Sequence, residues 1–169
     1  MPISVVATQQ GTPGVGATPG WTQLTYTDRN DLLTQLADLL TRTDDCIGNL
    51  EINAHGNPQS CDDIPVDQAQ NFGEQLGLLR LCPDCNIYLS GCNTALMQNT
   101  MFPLPKILAM ATNATVYGTV GYLDGTTAEG NPRTDPDYTD PHGKYHAPKL
   151  GADPRQQLGP HAYKPYTRY

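Results

Sequence analysis

Leu50-Glu51-Ile52-Asn53-Ala54-His55-Gly56 and Ile87-Tyr88-Leu89-Ser90-Gly91-Cys92-Asn93 decide how this chain folds. Each is a short apolar run that closes on small and reactive residues. An imidazole ends the first and a thiol ends the second. His55 and Cys92 stand 37 positions apart, the span of one strand–helix–strand unit. Parallel neighbours need a crossover of a dozen or more residues, usually a helix. Strands joined in this way point the same way, so His55 and Cys92 are expected at one carboxyl edge of one sheet. Open α/β sheets place their ligands along that edge.

Working outward, Ile3 to Ala7 reads as a strand, and Thr8 to Gly20, rich in Gly, Pro and Thr, as a loop. Trp21 to Tyr26 reads as a second strand or an extended approach to a helix. From Asp28 to Thr43, Leu32, Leu33, Leu36, Leu39 and Leu40 form the stripe of an amphipathic helix, with Thr27 or Asn30 as its cap. Ile47 to Ala54 is the next strand and Asn57 to Asp63 a loop. Val66, Ala69, Phe72, Leu76 and Leu79 mark a second helix that Pro83 stops. Ile87 to Ser90 is a strand, Pro105 to Thr112 a third helix, and Asn113 its left-handed cap. Thr115 to Val120 is the last core strand, with Asp124-Gly125 as a turn. This alternation predicts an α/β domain: a three-layer sandwich, its mostly parallel sheet covered by helices on both faces.

That domain is expected to span residues 1–125. Beyond it, residues 126–169 hold seven prolines and five tyrosines but only two leucines, Leu150 and Leu158. Too little apolar surface is available there to repay ordering the chain. The segment reads as an extended C-terminal arm, lying along its own domain or a neighbouring subunit with tyrosines as anchors. His142 and His146 within it flank Gly143 among prolines and read as surface residues.

Composition narrows the function classes. The 169 residues carry a net charge of −7. Residues 1–125 hold four Lys/Arg against twelve Asp/Glu, a net of −8, so a nucleic-acid surface is not expected. No apolar stretch reaches the length of a membrane span. No basic-then-apolar leader is readable, which makes a cytoplasmic location the default. Signal-independent secretion, or incorporation in an extracellular assembly, is compatible with the same residues.

The five cysteines are Cys46, Cys61, Cys82, Cys85 and Cys92. All five reduced is the ordinary intracellular state. If two pairs form, Cys92 is the thiol left over. Cys82-Pro83-Asp84-Cys85 reads as a local disulfide or two separate thiols. A redox pair there, or a four-cysteine zinc site completed by Cys46 and Cys61, fits less well, since the spacing is not that of a zinc knuckle.

The chemistry follows from the pair. A cysteine nucleophile acts as its thiolate, which a nearby imidazole supplies by taking the proton. His55 serves first as base and then as acid toward the leaving amine. Gly91 permits a tight turn, and the N–H groups of Gly56 and Cys92 are placed to hold an oxyanion. Asp62, Asp63 and Asp124 fall in loops near the same edge, where one of them selects a basic substrate side chain or all stay solvated. The plain alternative is that His55 and Cys92 are ordinary strand-end residues.

At these motifs the chain resembles the caspase-like (clan CD) cysteine peptidases, most closely the bacterial branch of CHAT-type and gingipain-like domains. The likeness rests on Ala54-His55-Gly56, on Ser90-Gly91-Cys92, and on the run from Leu108 to Tyr117. It spans roughly residues 45 to 122. The stretch Ser90-Gly91-Cys92-Asn93-Thr94 departs from the Q-A-C-[RQG]-G signature of caspases. The resemblance implies a cysteine endopeptidase that cleaves peptide bonds through a thioester, with Cys92 as nucleophile, His55 as partner and self-processing as an accompanying activity. It needs a peptide or protein substrate and no cofactor or metal. The rival reading is a catalytically inactive subunit whose arm grips neighbours in a homo-oligomer or larger assembly.

Overall fold

The computed structural model describes residues 1–12, 20–57, 60–61, 63–90, 94, 102–119 and 163–169. In chain order its elements are β1 (Ile3–Gln9), β2 (Thr22–Tyr26), α1 (Arg29–Thr41) and β3 (Ile47–Asn53). Three two-residue strands follow, β4 (Gly56–Asn57), β5 (Ser60–Cys61) and β6 (Ile64–Pro65), leading into α2 (Val66–Gly77). The rest are β7 (Leu81–Ser90), α3 (Leu104–Thr112), β8 (Thr115–Thr119) and β9 (Tyr163–Tyr166). The main sheet runs β2-β1-β3-β7-β8-β9. Its first five strands are parallel and β9 is antiparallel. The chain is thus α/β with a mostly parallel sheet.

The steps β2-α1-β3, β3-α2-β7 and β7-α3-β8 all move the same way across the sheet. Right-handed crossovers therefore put the three helices on one face, so among the described residues the expected helices on both faces are not found. There, α2 packs on α3 and touches α1. Gly73 makes the α2–α3 contact possible: a Cβ on it would stand 2.7 Å from the Cβ of Ala111. The sheet residues under the helices are apolar in register, Val5 beside Leu50, Ile87 and Val116, then Ala7 beside Ile52 and Leu89. Each of them is fully buried, which contributes about 1.5–3 kcal/mol for a large aliphatic side chain. On the opposite face Val6, Glu51 and Tyr88 share a row and are buried too. Burial on both faces is the condition that parallel sheets require.

Local chemistry sets the helix ends. In α1, Leu32, Leu36 and Leu40 are buried, as the stripe predicts. The cap is Asp28 rather than Thr27 or Asn30. Its extended backbone turns the carboxylate onto the Asp31 N–H at 2.8 Å. The Asp31 carboxylate in turn accepts from the Thr27 N–H at 2.8 Å. Helix α2 ends at Gly77, not at Pro83, because the chain must turn for Leu81 to pair with Ile47. Helix α3 is close to expectation, and Asn113 takes the left-handed conformation, φ 61°, with its N–H on the Ala109 carbonyl.

Three further differences matter. Pro83 lies inside β7. Register jumps there from Ile47↔Leu81 to Asn49↔Asn86, so two steps on β3 face five on β7. The Cys82–Cys85 stretch is extruded as a bulge, where a residue lacking an N–H removes no ladder bond. The expected loop after His55 holds a small antiparallel sheet, β4-β5-β6. Finally, the end of the proposed arm is a strand: β9 pairs with β8, Tyr166 packs on the core, and the Lys106 ammonium donates to the Thr167 carbonyl at 2.7 Å. The expected boundary at residue 125 lies outside the described residues. Among those described, no helix is long and apolar enough to cross a membrane.

Candidate functional site

The site is built from two neighbouring strands. β3 and β7 run parallel, and Asn53 is level with Ser90 on their last rung. Both strands therefore end at the same carboxyl edge. His55 is exposed, two residues past Asn53, at the turn into the small sheet. Gly56 opens β4 opposite Cys61. Gly91 and Cys92 follow Ser90 in sequence and lie outside the described residues, as do Asp62 and Asp124.

Asp63 is engaged with the first residue of α1. Its carboxylate accepts from the Arg29 N–H at 2.8 Å and faces the Arg29 guanidinium at 3.5 Å. That guanidinium also donates to the Asp63 carbonyl at 2.9 Å. A carboxylate at the first turn complements the exposed N–H groups and partial positive charge of the helix end. Asp63 thereby anchors α1 beside the small sheet.

The cysteines are arranged otherwise than their spacing suggests. Cys46 and Cys82 form a disulfide, with Cα atoms 5.1 Å apart. It joins the residue before β3 to the start of β7, at the amino edge, opposite the His55 end. This overturns the Cys82–Cys85 pair, the all-reduced state, the four-cysteine zinc site and the redox protein. Cys85 and Cys61 are buried thiols. Burial, with Asp84 adding to it, pushes the Cys85 thiol up to about 12. Such a group is protonated and inert at neutral pH.

A polar cluster below the carboxyl edge was not anticipated. On the face opposite the helices, the Ser90 hydroxyl donates to the Glu51 carboxylate at 2.8 Å, both buried. On the same face Asn53 reaches the Thr8 hydroxyl at 3.5 Å, tying β3 to β1. The signal was present in Leu50-Glu51-Ile52, where an acid interrupts an apolar strand. Charged residues are almost never fully buried unless paired.

Compared with known proteins, the chain matches no family model, no curated protein and no solved structure.

Proposed function

We propose that this chain is a cysteine endopeptidase of caspase-like type, in which Cys92 attacks the peptide carbonyl and His55 moves the proton. The observation that carries the reading is the parallel β3–β7 pair, with Asn53 and Ser90 level at its end. Two strands leaving one edge in register can bring the residues next in sequence within range of each other. The exposure of His55 leaves its imidazole accessible to a substrate. The mostly parallel sheet, buried on both faces, is compatible with a sandwich of this type. The Cys46–Cys82 disulfide and the burial of Cys61 and Cys85 leave none of these four as an accessible nucleophile.

In the mechanism, imidazole takes the thiol proton, the thiolate adds to the carbonyl, and the imidazolium returns the proton to the leaving amine. Water then hydrolyses the thioester. Labelling with a thiol-reactive peptide electrophile tests the reading. Wild type is expected to label fast, Cys92→Ala not at all, and His55→Ala on the order of a hundredfold more slowly. Labelling that needs Cys92 but ignores His55 would reduce the site to an exposed thiol.

The second reading, an assembly subunit without catalysis, draws on β9. It is the last strand of the sheet, and its outer edge has no neighbour among the described residues. Open edges recruit strands from other chains. Light scattering across a concentration series distinguishes it: growth of defined oligomers without electrophile labelling favours the subunit.

A further inference from the structure

We propose that Glu51 and Ser90 act as a positioning pair for the site, a role that rests on the Cys92/His55 reading above. Glu51 sits on the strand that ends before His55, and Ser90 is the last residue of the strand that leads to Cys92. Their hydrogen bond runs diagonally between the strands, since Glu51 is level with Tyr88 and Ser90 with Asn53. It is 2.8 Å long, and the two residues are only 3% and 5% exposed.

Packing alone gives no reason for these residue types. The helix-facing rungs nearby, Leu50, Ile52 and Leu89, are apolar, and Val6 and Tyr88 fill the same opposite face as Glu51. An alanine or valine at either position would avoid the cost of desolvating a carboxyl or hydroxyl group. What a buried polar pair adds is direction. An apolar contact tolerates sliding and rotation, whereas a hydrogen bond of this length fixes distance and angle.

Ser90 is where that direction matters most. The ladder between β3 and β7 has its final rung at Asn53↔Ser90. The diagonal bond holds β7 to β3 at this rung, and Asn53 with Thr8 holds β3 to β1. Stabilisation of a thiolate by an imidazolium falls with separation. A displacement of about 1 Å can cost a hundredfold in rate. Glu51 and Ser90 carry out no chemical step in this scheme; they set where the two strand ends stand.

The test is the pH dependence of alkylation by iodoacetamide, on the full chain without reductant. Cys46 and Cys82 are bonded and Cys61 and Cys85 buried, so peptide mapping after brief labelling reads Cys92. Wild type is expected to reach half its maximal rate below the ordinary thiol value of about 8.5. Ser90→Ala and Glu51→Leu should shift that midpoint upward and slow labelling at pH 7 by about threefold to tenfold. Ser90→Thr, which keeps the hydroxyl, should restore the wild-type profile. Circular dichroism identifies folded variants, and if Glu51→Leu does not fold, the Ser90 pair decides. Wild-type profiles in Ser90→Ala overturn the positioning role. If His55→Ala also leaves the midpoint unmoved, the dyad itself falls; if His55→Ala raises it, the dyad stands and only the positioning role is lost.

Discussion

Cys85 holds its proton to about 12 because burial penalises the thiolate, with the Asp84 carboxylate adding to the effect. The unfolded chain releases that proton near the ordinary thiol value of 9.0. Between those values the native state binds more protons than the unfolded one, so stability falls as pH rises. Below pH 9 the contribution is fully present. Urea midpoints are expected to stay level to about pH 8.5 and then decline, and Cys85→Ala should flatten the decline. Tyr166, also raised by burial, contributes a later fall that this variant keeps. A slope unchanged in Cys85→Ala would assign the whole effect to other groups. Asn113 shows what sequence reveals at this scale. A short polar residue between a helix and a strand announces a left-handed cap, and φ is 61°. Asp28, Thr27 and Asn30 are all good caps by type, so composition alone does not select among them. The backbone at Asp28 does.

The β3 and β7 segments were legible because Leu50, Ile52, Ile87, Tyr88 and Leu89 cluster in short runs bounded by small and polar residues. Helix α1 was legible through its leucine stripe. The disulfide was not. Cys-x-x-Cys draws attention to the nearest pair, but pairing follows register, and register brings Leu81 beside Ile47 before the bulge begins. Cys82 therefore stands next to Cys46, 36 residues earlier. Strands of two residues, such as β4, β5 and β6, are too short to show a period, and so read as loop. The loop-entropy model assigns a bridge of this span about 3–4 kcal/mol. Replacing Cys46 and Cys82 by serine should lower unfolding stability by that order, measured by urea denaturation. Because the bridge is at the amino edge, brief labelling of Cys92 at neutral pH should be unaffected in the folded variant. A large loss of labelling there would mean the two edges are coupled.

Across the whole molecule, the sheet is completed by residues from the far end of the chain. Pro and Tyr enrichment made residues 126–169 look like an arm. Edge strands tolerate proline, and β9 is an edge. Its pairing with β8, the packing of Tyr166 and the Lys106–Thr167 bond together close that side. Removing residues 163–169 should bare the β8 ladder and drive association at micromolar concentration, followed by light scattering. A truncated chain that stays monomeric with an unchanged unfolding midpoint would show that β9 protects nothing. The sulfur bridge at the amino edge of the sheet also constrains how the protein is handled. Dithiothreitol, routinely added to keep thiols reduced, would cut the Cys46–Cys82 staple. Purification buffers should therefore omit strong reductant, and a lowered unfolding midpoint on adding it would report the loss of that bridge.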